Sequence, residues 1–119
     1  MKQESILIIE VPHAMDILLE TFDLESFKKF TFWSEHLALY TRNTLTLLLN
    51  YCGFIEEKVL GKQRYPLSNH LKWLKDNKPG GHNEFVDFND TNLNLAYEKL
   101  LNDIDRTDTI IGYFKVNPK

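Results

Sequence analysis

The chain has 119 residues, of which 43% are hydrophobic and 13% aromatic, and its formal net charge is −3. This composition predicts one globular domain and excludes a disordered chain, while the acidic balance argues against nucleic-acid binding and against a polybasic membrane-binding patch. Cys52 is the single cysteine, which excludes an intramolecular disulfide and indicates a reducing compartment such as the cytoplasm.

The first predicted element is a β-strand over residues 6–11, which are almost continuously apolar and β-branched. Such a run is typical of a strand buried on both faces, as in a parallel sheet. It is too short for a signal peptide or a membrane span. Pro12 ends it, and the apolar spacing of residues 14–22 then predicts a helix.

The middle of the chain begins with an aromatic-rich link that contains Phe27, Phe30, Phe32 and Trp33. A second helix is predicted to start after Thr41, a favourable N-cap, and to end before Gly53. Its predicted apolar face consists of Leu45, Leu48 and Leu49. Residues 54–67 predict a strand that bends at Gly61 and ends near Pro66.

The last third predicts a short helical turn around Trp73, a loop over residues 78–82, and a helix capped by Asp90 or Thr91. That helix has the most regular apolar periodicity of the chain, at Leu93, Ala96, Tyr97, Leu100, Leu101 and Ile104. A β-branched strand over Thr109–Val116 closes the chain and is a candidate antiparallel partner for residues 54–67. The predicted fold class is therefore α/β, with an incomplete sheet and flanking helices.

One cluster with chemical potential lies just before the second helix, where Glu35, His36 and Tyr40 follow each other closely. His36 could act as a general base near neutral pH, oriented by Glu35. Adjacent side chains do not face each other on a helix or strand, so this needs a bend in the chain. On spacing alone, a loop histidine that helps to cap the helix is the favoured alternative.

A second cluster lies in residues 63–74. Arg64 can bind a carboxylate or a phosphate through two hydrogen bonds, His70 adds a polar tip, and Trp73 offers a stacking face. The alternative is a strand end with solvated polar residues and one aromatic anchor in the core, and the sequence leaves both open.

The glycine pair in Lys78–His82 permits close approach of a ligand to the backbone, although a plain turn is the default interpretation. The four histidines at positions 13, 36, 70 and 82 lack the spacing of a helical zinc site. No metal site is expected. The sequence contains no glycine-rich phosphate loop and no nucleophile elbow.

Taken in order, several segments resemble the C-terminal half of class I S-adenosylmethionine-dependent methyltransferases of the small-molecule and sugar-modifying type. They are ILIIEVPH at residues 6–13, EHL with Tyr40 and Thr41 at residues 35–41, Gly53-Phe54, QRYPLSNHLKWL at residues 63–74, KPGGH at residues 78–82, and DTI at residues 108–110. The resemblance covers nearly the whole chain. Trp33 departs from it, since related sugar C-methyltransferases have a tyrosine two positions before the Glu-His pair.

The resemblance implies a partial Rossmann-like fold over residues 1–119. Its three-stranded mixed sheet would be equivalent to strands 5, 7 and 6 of the family, with Thr109–Val116 central and antiparallel to both neighbours. It implies methyl transfer from S-adenosylmethionine to a small-molecule acceptor in a complete enzyme. No cofactor-binding residue falls in this chain, so activity of the chain alone is not expected.

The resemblance also assigns roles. His36 would be the base or substrate-orienting group, and Glu35 would position it. The acceptor side would be lined by Tyr40, Arg64, Tyr65, His70, Trp73 and His82.

Two kinds of partner follow for this chain. One is a cofactor-binding N-terminal half. The other is a second copy of the chain, because a strand over residues 6–11 without its family neighbour has a free, apolar edge. The alternative function is a non-catalytic binding or assembly module.

Overall fold

A computed structural model describes residues 4–33 and 39–118, with the side chains of residues 32 and 33 excepted. It has three strands, β1 (Ile6–Pro12), β2 (Phe54–Lys62) and β3 (Thr109–Val116). The helices are α1 (Ile17–Glu20), α2 (Glu25–Trp33), α3 (Arg42–Tyr51), α4 (Leu67–Asp76), α5 (Gly81–Glu84) and α6 (Thr91–Asp103), with a 3-10 turn at Val86–Phe88.

The strands form one sheet in the order β1-β3-β2, and both pairings are antiparallel. The predicted central position of β3 and its boundaries are confirmed, as is the α/β class. The predicted mixed sheet is wrong. β1 and β2 run in the same direction, but β3 lies between them, so these two strands do not pair with each other.

One face of the sheet is covered by α3. Thr41 caps this helix by accepting a hydrogen bond from the amide of Thr44, as the sequence predicts. Leu45 and Leu49 pack against Ile110 and Phe114 of β3, together with apolar residues of β1 and β2. Leu48, predicted to share that apolar face, is instead 41% exposed.

On the other face of the sheet, none of the described helices covers β1. Ile6 and Ile8 of this strand are 48% and 58% exposed. Burial alternates along this strand, so the prediction of a strand buried on both faces is wrong. The reason is that a single helix layer covers only every second residue of a pleated strand.

A second core joins the helices at one end of the sheet. Ile17 and Leu18 of α1 pack against Trp73 of α4 and Leu101 of α6, and Phe27 of α2 packs on this cluster. Phe27 and Phe30 both contact the Trp73 ring, with ring centroids 5.1 Å apart in each case. The aromatic segment predicted as a link is therefore helix α2, held by contacts that are distant in sequence.

Other boundaries also differ from the prediction. The helix predicted over residues 14–22 is the single turn α1, and the predicted short turn around Trp73 is the ten-residue helix α4. The predicted loop over residues 78–82 enters α5 at Gly81. The pairing irregularity of β2 lies between Glu56 and Lys58 and not at Gly61. No helix in the described ranges has the length and apolarity needed to cross a membrane.

Candidate functional site

A cavity of about 310 Å³ lies where β1 and β2 end and β3 begins. Residues 10–13 and 64–65 line it from the two strand ends, and Asp108 and Thr109 line it from the start of β3. Its apolar wall comes from α1, α2 and the segment before α3, through Leu19, Phe27, Phe30 and Leu39. The cavity thus combines an aromatic wall with a polar floor, which is the usual character of a small-molecule site.

Asp108 organises the polar floor. Its carboxylate accepts hydrogen bonds from the backbone amides of Arg64 and Tyr65, from Gln63 Nε2 and from the Thr109 hydroxyl. These bonds replace the strand ladder after Lys62, which explains why β2 ends there and not at residue 67. Burial raises the pKa of the Asp108 carboxyl, although the amides of Arg64 and Tyr65 counteract this.

Asp16 is the most deeply buried carboxyl of the cavity, with 4% of its surface exposed. Its Oδ1 accepts a hydrogen bond of 2.9 Å from the Leu18 amide and so caps α1. Burial raises the pKa of Asp16 to about 7, and the negative charge of Asp108 adds to the rise. The group is thus poised to exchange a proton near neutral pH.

Arg64, a predicted site residue, lies at the cavity and forms an ion pair with Glu10 of β1. Both side chains are partly exposed, at 49% and 42%. Tyr65 also lines the cavity. The expected arginine and its tyrosine neighbour are therefore brought together at one end of the sheet, but the arginine is already paired with an acid.

His70, also predicted, is not among the residues that line this cavity and is 2% exposed. Its Nδ1 is hydrogen-bonded to Tyr97 Oη at 2.6 Å, and its Nε2 lies 3.3 Å from Gln63 Nε2. Burial lowers the pKa of His70 to about 4, so the imidazole is neutral at pH 7. Trp73 is 2% exposed and belongs to the helical core. The sequence left open whether Trp73 stacks on a ligand or anchors the core, and the structure places it in the core.

Tyr40 and His82 occupy two further places. Tyr40 pairs with the end of β1, where its carbonyl accepts from the Ala14 amide and its amide donates to Pro12. His82 is exposed on α5 and is not among the cavity residues. The Cβ of an alanine at Gly81 would overlap the Ser68 carbonyl, so this glycine permits α4 and α5 to pack closely.

Glu35 and His36, the predicted catalytic pair, lie outside the described residues. The chain on both sides of them reaches the cavity, since Thr31 and Leu39 belong to its wall.

Sequence reasoning missed three acids of the cavity, Glu10, Asp16 and Asp108. A signal was present, because Glu10 and Asp16 flank the end of a strand and Asp108 immediately precedes one, where polar side chains often gather in a site. Among the described residues no group of three His, Cys, Asp or Glu side chains is arranged to hold a metal ion.

Comparison of the chain with protein-family models, with curated proteins and with solved structures finds no match in any of the three.

Proposed function

We propose that this chain is the substrate-side half of an S-adenosylmethionine-dependent methyltransferase that acts on a small molecule, and that it needs a cofactor-binding half for activity. The observation that carries the proposal is the strand order β1-β3-β2 with both pairings antiparallel. The strand order, with the last strand central and antiparallel to both neighbours, agrees with what the resemblance implies for strands 5, 7 and 6 of the methyltransferase fold.

The position of the cavity supports the same proposal. Ligand sites of open α/β sheets lie at the carboxyl ends of the strands that share a direction. In this chain those strands are β1 and β2, and the cavity lies at the carboxyl ends of both. Its volume of about 310 Å³ suits a small acceptor.

The described residues do not fit S-adenosylmethionine itself. β1 ends at Pro12 and is followed by the buried His13, which is hydrogen-bonded to the Thr107 carbonyl at 2.9 Å. No glycine-rich turn leads from that strand into a long helix, as a bound nucleotide requires. In the proposal, the cofactor is held by another part of the enzyme, and this chain binds and orients the acceptor.

Residue roles follow from the cavity and the resemblance together. By the resemblance, His36 would take the proton or orient the acceptor, and Glu35 would position it. Arg64 and Tyr65 would contact the acceptor. His70 and Trp73, which are buried, would act by holding α4 in place.

A second candidate is a non-catalytic assembly module that forms a homo-oligomer. The specific observation in its favour is the exposure of Ile6 and Ile8 on β1, which is an edge strand of the sheet. An apolar edge with unpaired backbone groups favours pairing with another chain. Strand pairing with a cofactor-binding half would cover the same edge.

Calorimetric titration with S-adenosylmethionine tests the first proposal. We expect no heat of binding for the chain alone, and micromolar binding once it is expressed together with any coding sequence found in frame upstream of Met1. Micromolar binding by the chain alone would contradict the division into two halves. An upstream sequence without cofactor-binding capacity would favour the assembly module.

A further inference from the structure

Carboxyl groups outnumber cations around the cavity. Glu10, Asp16 and Asp108 line it, and Arg64 is the cation among its described lining residues. His13 also lines it, but burial lowers the pKa of this histidine, so it adds no positive charge near neutral pH. The described lining therefore carries a net negative charge, which opposes the entry of an anion.

Two of the three carboxyl groups already have strong partners. Glu10 is paired with Arg64. Asp108 accepts hydrogen bonds from two backbone amides, an amide side chain and a hydroxyl. Glu10 and Asp108 are therefore less available than Asp16 to pair with a charged ligand.

Asp16 differs because, among the described residues, its carboxylate accepts a hydrogen bond only from the Leu18 amide, and only through Oδ1. Within residues 4–33 and 39–118, no ion pair to Asp16 is found. A buried carboxylate without a cationic partner is costly, and a bound cation would relieve that cost.

Part of the cavity lining is aromatic. Phe27 and Phe30 line the cavity, and their ring centroids lie 6.3 Å apart. Aromatic faces attract organic cations and also pack against apolar groups. A cavity lined by both aromatic rings and a buried acid is therefore suited to a ligand with an apolar body and a positively charged end.

We propose that the cavity binds a small organic ammonium ion, with the Asp16 carboxylate as the residue that selects its charge. As a statement about the methyl acceptor, this rests on the proposed function. As a statement about binding, it applies to this chain on its own.

The test uses three probes of nearly equal shape: 2-phenylethylammonium, 2-phenylethanol and 3-phenylpropanoate. Their affinities for the isotope-labelled chain are measured by NMR titration at about pH 8, where Asp16 is ionised. We expect the ammonium ion to bind at least about tenfold more tightly than the alcohol, and the carboxylate to bind most weakly. Lowering the pH to about 5.5 should weaken ammonium binding, because Asp16 then takes up a proton.

Asp16→Asn is the decisive variant, because asparagine keeps the acceptor that caps α1 and removes the charge. It should abolish the preference for the ammonium ion over the alcohol. Asp103→Asn is the matched control, since Asp103 is an exposed carboxylate paired with Lys99, and it should leave the preference unchanged.

Equal or tighter binding of the alcohol or the carboxylate, or no binding of any probe, would overturn the proposal. If Asp16→Asn does not fold, the pH dependence of the wild-type affinity decides, and a pH-independent affinity contradicts the role of Asp16. If the completed enzyme methylates only uncharged acceptors, this inference is contradicted and the proposed function still holds. If the chain binds the ammonium ion but the completed enzyme transfers no methyl group, the proposed function is contradicted and this inference still holds.

Discussion

His70 and Tyr97 are joined by a 2.6 Å hydrogen bond between the imidazole Nδ1 and the phenol oxygen, and their rings meet nearly edge to face. The bond links α4 to α6. Burial lowers the pKa of His70 to about 4, whereas burial raises the pKa of Asp16 to about 7. The two groups therefore give opposite pH dependences to the stability of the fold.

The first prediction concerns the opposite effects of His70 and Asp16 on the pH dependence of stability. An unfolded histidine takes up its proton near pH 6.5, so the contribution of His70 is fully present above about pH 6.5 and is lost as the pH falls toward 4. The contribution of Asp16 is fully present below about pH 4 and is lost as the pH rises through 7. Asp16→Asn removes the second effect alone.

The free energy of unfolding of Asp16→Asn should therefore fall more steeply than that of the wild type as the pH decreases from about 7 to 4.5, by on the order of 3 kcal/mol. Urea unfolding followed by circular dichroism at several pH values measures this. Parallel pH profiles for the two proteins would show that Asp16 titrates normally in the folded chain.

The second prediction concerns adjacent glycines with different roles. Gly81→Ala should destabilise the fold by about 2–4 kcal/mol, because its methyl group would overlap the Ser68 carbonyl between α4 and α5. Gly80→Ala should cost only about 1 kcal/mol, because that position is sterically open and has a φ of +104°. Thermal unfolding of both variants provides the measurement, and equal effects would contradict the steric reason.

The outcome at Gly81 illustrates what the sequence could predict. Elements with a strong local signal, such as α6 with its Asp90 cap and the strand β3, are recognisable from periodicity and capping. Helix α2 is not, because its helical state depends on the packing of Phe27 and Phe30 against Trp73. The end of β2 depends in the same way on Asp108, a residue more than forty positions away in sequence.

The cavity was only partly predictable for the same reason. Arg64 and Tyr65 stand in a distinctive segment, and the structure places both at the cavity. Asp16 has the local role of a helix cap, and the charge of Asp108 raises the pKa of Asp16 only because the fold brings both residues to one cavity. A sequence shows the type of each polar residue but not the distance between groups that the fold brings together.

The third prediction concerns the edge of β1. If the chain forms a homo-oligomer through this strand, Ile8→Lys should weaken it, because a charged residue on an edge strand opposes pairing. Leu47→Lys is the matched control, since Leu47 lies on α3 and has the same exposed fraction of 58% as Ile8. Light scattering after size exclusion at micromolar concentration measures the mass, and a wild-type monomer of 14.0 kDa would rule this assembly out.

The fourth prediction concerns His36. In the enzyme completed by a cofactor-binding half, His36→Ala should lower turnover by about 10²–10⁴-fold, the usual contribution of a positioned base. It should change the melting temperature little. Unchanged turnover with a lowered melting temperature would instead favour the helix-capping role that the spacing of Glu35 and His36 allows.

The most direct measurement is methyl transfer itself, from isotope-labelled S-adenosylmethionine to small-molecule acceptors in the completed enzyme. The account predicts a labelled product with the wild type and a large loss of turnover with Leu39→Trp, which fills the cavity from its apolar wall, while cofactor binding is unchanged. A completed enzyme that binds S-adenosylmethionine but labels no small molecule, or a Leu39→Trp variant with full turnover, would contradict the assignment of this cavity as the acceptor site.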